Sequence, residues 1–272
     1  MRRVLIAGCG DIGTRLAACL DTAQWQITGL RRRADRLLAP IRPYAADLLD
    51  PATLDDLPVH WDAVVYQATP DRRDRNGYRQ AYVDGMQNLM RRVDTRRLIF
   101  VSSTAVYGQD AGEWVDERSL TVPAAFNGEV LRLAERAVFD AGVAEPVVVR
   151  FSGIYGPGRD ALVRQIRAGR ARCRAQPPQW TNRIHADDCA GVLAHLLELP
   201  DPEPIYCASD CRPAARCEVL QWLAERIGVA GPEQDSDARH GQGKRVANQR
   251  LLATGYRFRY PDFQRGYGAL LE

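Results

Sequence analysis

The sequence predicts an α/β chain built on a doubly wound parallel sheet, with a small C-terminal lobe. Two observations carry this. Short apolar runs of strand length, RVLIAG, WQITGL, DAVVYQA, RLIFVSS and PVVVRFS, are rich in β-branched residues. Helix-like stretches separate them, and such alternation requires crossover helices on both faces of a parallel sheet. At 272 residues and 46% hydrophobic, the chain is long enough to bury one full core.

The elements follow in order. RVLIAG is the first strand, and a helix spans about 11–21. WQITGL is the second strand, and the weaker run IRPYAADLL supplies another. DAVVYQA precedes a helix at about 75–94, and RLIFVSS precedes one at about 127–141. In that last helix Val130, Leu131, Ala134, Ala137 and Val138 recur at helical spacing. After PVVVRFS, GPGRD opens a loop near residue 155 and the pattern loosens. A helix at about 186–198, a strand at IYCA and a helix at about 215–228 follow. The polar, glycine-containing segment 231–243 reads as a mobile loop or lid, and the end as two short helices. The whole chain, 1–272, reads as one domain, with lobe elements from about 155–180 and 200–272.

Composition excludes several function classes. The net charge is +3 with both signs interleaved, which is not a nucleic-acid footprint. The pairs Arg72–Arg73, Arg91–Arg92 and Arg96–Arg97 read as solvated faces or strand ends. Seven cysteines, an odd number, argue against a disulfide framework, and Cys207, Cys211 and Cys217 match no zinc spacing and read as ordinary thiols. No metal is expected. No apolar run approaches the roughly 18 residues of a membrane helix. The apolar start breaks at Gly10–Asp11, too soon for a signal peptide. The expected location is cytoplasmic, with no membrane partner.

Gly8, Gly10 and Gly13 form G-x-G-x-x-G between the first strand and its helix, the context a dinucleotide site needs. The first glycine allows a tight turn, the second a close approach to pyrophosphate, and the third tight helix–strand packing. The helix N-terminus then faces the phosphates. The fold expectation is therefore a Rossmann-type sheet. In an NAD site an acid near the end of the second strand holds the adenosine ribose. Here that place reads GLRRRADR. A guanidinium pairs with a 2′-phosphate that an acid would repel. Such a contact is worth roughly 1.5–3 kcal/mol, or roughly 10- to 150-fold. The expected cofactor is NADP(H) ahead of NAD(H), with Arg31 and Arg32 as contacts. The competing readings are a solvated cluster capping the strand, or Asp35 as ribose partner in a shifted register.

Along nearly its whole length the chain resembles the short-chain dehydrogenase/reductase superfamily. GCGDIG, ADL at 46–48, VVYQATP, YVDGMQNL, VSSTAVYG, RFSGIYGPGR and NRIHADDCA carry the resemblance. The last two resemble the extended, epimerase-type branch. The short length and the ending KRVANQRLLATGY resemble its atypical, YeeZ-like relatives, NAD-dependent epimerase/dehydratase-like proteins. The resemblance implies that Gly8, Gly10, Asp11, Ile12 and Gly13 form the pyrophosphate loop. It implies Asp47 and Leu48 at the adenine, and Ala68 and Thr69 beside the adenosine half. It places Phe151, Ser152 and Gly153 near the nicotinamide and Ser103 as the active-site serine. It also implies a homodimer through the helices at about 75–94 and 127–141.

Active members of the superfamily use a Tyr-x-x-x-Lys pair, because a lone tyrosine titrates near 10 and is a poor base at neutral pH. This chain cannot form it. Its only lysine is Lys244, with His240 four residues earlier. The family pattern puts Asn127 where the tyrosine belongs and Leu131 where the lysine belongs, while Arg132 is turned about 100° away. Thr104 and Ala105 stand where sugar dehydratases carry Asp-Glu. The remaining candidate acids are Ser103, Tyr107 and His185. Tyr107 and Tyr155 also read as structural, and His185 as a packing or capping residue beside Asp187 and Asp188. Trp114, Asp116 and Glu117 are candidate substrate contacts. Two functions remain: an NADP(H)-dependent oxidoreductase or epimerase-like enzyme for a small-molecule substrate, and a non-catalytic NADP(H)-sensing or binding module.

Overall fold

The computed structural model describes residues 1–234 and 241–272. His240 and much of the expected loop at 231–243 lie outside the described residues.

Seven strands form the central sheet: β1 (Arg2–Ala7), β2 (Trp25–Arg31), β3 (Arg42–Ala45), β4 (His60–Tyr66), β5 (Asp94–Ser103), β6 (Glu145–Phe151) and β7 (Ile205–Ala208). Their order is β7-β6-β5-β4-β1-β2-β3. The sheet is parallel: β1 pairs with β2 and β4, β2 with β3, and β4 with β5, all in parallel register. The chain reverses its direction of travel between β1 and β4. That makes the switch point, where open α/β sheets bind ligands beyond the strand carboxyl ends.

Eight of the helices answer the periodic stretches or their neighbours. α1 (Asp11–Cys19) follows β1. The predicted helix at about 75–94 is broken into α2 (Arg75–Arg79), one π turn (Gln80–Asp84) and α3 (Gly85–Arg92). Apolar periodicity does not see this wider turn, since Tyr82, Val83 and Met86 stay on the packed side. α4 (Phe126–Phe139), α6 (Ala186–Glu198), α7 (Arg216–Ile227), α8 (Gln249–Ala253) and α9 (Phe263–Leu271) match expectation closely. α5 (Ala161–Arg167) was not anticipated: only Val163 and Ile166 are buried in its seven residues, too few for a legible stripe.

The chain forms two compact units. The first comprises Met1–Tyr107, Thr121–Arg150 and Ala190–Tyr206. Its core stacks Leu5, Ala7, Val64, Tyr66, Leu98 and Phe100 of the sheet with Met86, Leu89, Ala134 and Val138 of the helices. The second comprises Gly108–Leu120, Phe151–Cys189 and Cys207–Glu272. Its core gathers Val163, Ile166, Val219, Leu220, Leu223 and Phe263. A disulfide joins Cys173 to Cys217 across 44 residues of sequence within this core, while the other five cysteines form no disulfide. This corrects the reading of Cys217 as an ordinary thiol: an odd count argues against a full framework but not against a single bridge. Among the described residues, no helix is long and apolar enough to cross a membrane, and no cluster has the makings of a metal centre.

Candidate active site

The glycine-rich turn is built for close approach. Gly8 has φ +80°, and a Cβ there would lie 2.5 Å from the Ala68 backbone. A Cβ at Gly13 would lie 2.3 Å from Gln67 Nε2 and 2.9 Å from Ile6 Cγ2, so the glycine leaves room for those two side chains against α1. Gly10 caps α1 without a side chain, which leaves the first backbone N–H groups open toward the turn. Asp11 is held by Arg15 at 2.9 Å, one turn along the helix. Gln67 Nε2 is buried beside the turn with no partner, a donor that awaits an acceptor. A glycine cradle, an open helix end and an orphaned donor fit the pyrophosphate of a dinucleotide.

A cavity of about 470 Å³ opens from this turn. It gathers Gly8, Gly10, Arg31, Arg32, Asp47, Leu48, Ala68 and Thr69, all anticipated from the sequence, while Ile12 and Gly13 stand buried behind them in α1. Asp35 lies in a short turn at Ala34–Arg36, outside the lining. Arg31 ends β2 and donates to the Cys9 carbonyl at 3.3 Å. Arg32 forms a two-point pair with Asp71 at 2.6 and 2.7 Å. Sequence reasoning missed Gln67, Asp71 and Arg72. The charge-dense run TPDRRDR was the available signal, but it read as solvated surface.

Ser103 ends β5, and its Oγ accepts the Ala105 N–H at 3.2 Å, which shapes the short turn Thr104–Val106. Strand alternation sends the preceding Ser102 to the opposite face. There Ser102 Oγ donates to Glu135 Oε1 at 2.6 Å. Arg150 grips the same carboxylate at 3.0 and 2.7 Å and donates to Tyr107 Oη at 2.7 Å. Glu135 and Arg150 are each 4% exposed, and Tyr107 is 2% exposed. The Tyr107 hydroxyl thus serves a buried ion pair that fixes the turn carrying Ser103. Gly128 lets α4 come this close, since a Cβ there would lie 2.2 Å from the Ala105 carbonyl oxygen. Leu131 is buried in α4, whereas Arg132 points to solvent.

In the second unit, Gly153–Tyr155 pairs in parallel with Arg183–His185. This joins the segment Phe151, Ser152 and Gly153 to His185. Phe151 and Ser152 are buried, and Ser152 Oγ has no partner. His185 is buried at the start of α6. Its Nδ1 accepts the Asp187 N–H at 3.1 Å, which puts the ring proton on Nε2. Tyr155 and Tyr260 flank the ring, with centroids at 5.3 and 4.1 Å. The histidine, not an aspartate, therefore caps α6. Asp188 instead accepts from Tyr256 Oη and from the Arg259 and Tyr260 N–H groups. Burial still pushes its carboxyl above the usual range.

Of the expected substrate contacts, Trp114 is 54% exposed and carries the Arg245 guanidinium on its ring at 5.1 Å. Asp116 closes a turn with Ser119, and Glu117 accepts the Cys207 N–H at 2.8 Å. Both acids hold backbone. Lys244 is half-buried on Gly243–Val246, and burial pulls its ammonium below the usual value.

Comparison with known proteins agrees with this geometry. The model of the "NAD dependent epimerase/dehydratase family" matches residues 4–207. Protein YeeZ of Escherichia coli (strain K12) is 30% identical, over 96% of this chain and 97% of its own. A structure from Methylobacillus flagellatus, described as a candidate NAD-dependent epimerase/dehydratase, is 36% identical with a TM-score of 0.83, over 99% of this chain and 97% of that one. A human epimerase family protein solved with NADPH shares the fold, at 21% identity and a TM-score of 0.80 over 99% of both chains. The matched region takes in the glycine turn, the cavity and Ser103, and the chain belongs to the NAD dependent epimerase/dehydratase family.

Proposed function

We propose that the protein is an NADP(H)-dependent oxidoreductase or epimerase-like enzyme acting on a small molecule. The observation that carries this reading is the arginine-lined adenosine end of the cavity, with Arg31, Arg32 and Arg33 beside a glycine cradle. Gly8, Gly10 and the start of α1 would hold the pyrophosphate, Asp47, Leu48, Ala68 and Thr69 the adenosine, and Arg31 and Arg32 the 2′-phosphate. Phe151, Ser152 and Gly153 are the residues we assign to the nicotinamide end. When bound, the cofactor supplies hydride exchange. The chain's own part is to bind, orient and donate. Ser103 is the residue we place against the substrate oxygen, as a hydrogen-bond donor held by the Ala105 N–H. Tyr107 and His185 support this reading as positioning groups, since Tyr107 Oη and His185 Nδ1 already meet Arg150 and the Asp187 N–H.

One observation favours a second reading, a binding module without turnover. Leu131, which the resemblance puts where a lysine would acidify a proton donor, is buried. Turnover of any carbonyl compound with NADPH excludes the module.

The arginine reading is tested by Arg31→Ala and Arg32→Ala. Each is expected to weaken NADPH by roughly 10-fold or more, with NADH unchanged. Calorimetric titration reads both, and a variant that keeps the full preference removes that arginine from the site.

A further inference from the structure

Arg32 reaches its position already engaged. Its Nη1 and Nη2 meet Asp71 Oδ2 and Oδ1 at 2.7 and 2.6 Å. Both residues line the same cavity, and both are more than half exposed. The pair holds the Asp71 carboxyl below its usual range. A carboxylate and a phosphate seek the same planar fork, so the two are competitors for Arg32.

Asp71 lies within a short strap. At one end the Gln67 N–H donates to the Ala7 carbonyl at 2.9 Å. At the other, Asp74 Oδ1 accepts the Gly77 N–H at 2.7 Å and caps α2. Between these anchors run Ala68 and Thr69, which line the cavity, and then Asp71. Arg72 turns to Asp74 at 3.3 Å. Asp71 is therefore the side chain that ties the middle of the strap to the cavity's arginine wall.

We propose that Asp71 is a specificity latch: it occupies Arg32 until a 2′-phosphorylated nucleotide displaces it, and that exchange frees the strap carrying Ala68 and Thr69. This rests on the NADP(H) reading above. A nucleotide without the 2′-phosphate has nothing to exchange for Asp71 and binds with the latch closed. The carboxylate thus lowers the preference for the phosphorylated cofactor below what Arg32 alone would give, through prior occupancy of the guanidinium.

Asp71→Asn keeps the shape of the side chain and removes its charge. Titration of wild type and variant with NADPH, NADH, 2′,5′-ADP and 5′-AMP tests the latch. The variant is expected to bind NADPH and 2′,5′-ADP roughly 3- to 10-fold tighter, with NADH and 5′-AMP unchanged. In an Arg32→Ala background the same substitution should have no effect, a result that a merely structural role would not produce. Equal NADPH affinity in wild type and variant, alongside a normal loss in Arg32→Ala, overturns the latch and leaves the cofactor reading standing. Tightening of NADH by the same factor also overturns it. If wild type shows no NADPH preference and Arg32→Ala changes nothing, the cofactor reading falls and the latch falls with it.

Discussion

Glu135→Ala is expected to destabilise the first unit by about 3–5 kcal/mol, because it strands a buried guanidinium. Arg150 is 4% exposed and gives two of its hydrogen bonds to this carboxylate. Burial there is survivable for the cation only with its partner, which holds the guanidinium above its usual value. Removing the acid also leaves Ser102 Oγ without an acceptor. Thermal unfolding should show a melting point lower by roughly 10 °C. Replacing both partners, as in Glu135→Leu with Arg150→Met, should recover much of that loss, since an apolar pair of similar volume is often neutral. A Glu135→Ala protein that melts with wild type would mean that water or another acid reaches Arg150. The consequence extends to the candidate site. The network clamps β5, α4 and Tyr107 around the turn that presents Ser103, so its loss should loosen that serine as well.

Asp210→Asn is expected to abolish a loss of stability that wild type suffers as pH rises toward neutrality. Burial pushes the Asp210 carboxyl up to about 7, with Arg183 only partly opposing it and Asp262 and Asp188 adding to it. Oδ1 accepts the Arg212 N–H at 3.2 Å, but Oδ2 has no partner. In the unfolded chain the group titrates near 4. Between these values the native state holds a proton that the unfolded state has released, so stability falls with rising pH. The contribution is fully present below about pH 4, declines through the interval and is gone above about pH 7. Its total size is on the order of 4 kcal/mol. Asparagine is neutral throughout and should flatten the profile. Urea unfolding at pH 5, 6, 7 and 8 reads it directly. Parallel slopes in wild type and variant would show that Asp210 is ionised in the native protein.

The sheet was legible because its strands are short, apolar and β-branched, and because each crossover helix shows a buried stripe. The glycine turn was legible because its spacing encodes backbone geometry. Arg31 and Arg32 could be placed because they sit at the end of a clean strand, although a shifted register kept Asp35 open as an alternative. Other features depend on distance in sequence rather than pattern. Asp71 meets Arg32 across 39 residues, and Glu135 meets Arg150 across 15. Neither pairing leaves a periodic trace. The Cys173–Cys217 bridge was hidden for the same reason, since seven scattered cysteines name no partner. The place of His185 at the start of α6 was legible as a packing or capping residue, with Asp187 and Asp188 as rival caps; its Nδ1 accepts the Asp187 N–H.

The central claim is that this family member prefers the 2′-phosphorylated dinucleotide. Parallel titration of the wild-type protein with NADPH and NADH, followed by tryptophan quenching or calorimetry, tests it most directly. Micromolar NADPH binding is expected, with NADH at least ~10-fold weaker. Equal affinities, or a preference for NADH, would contradict it.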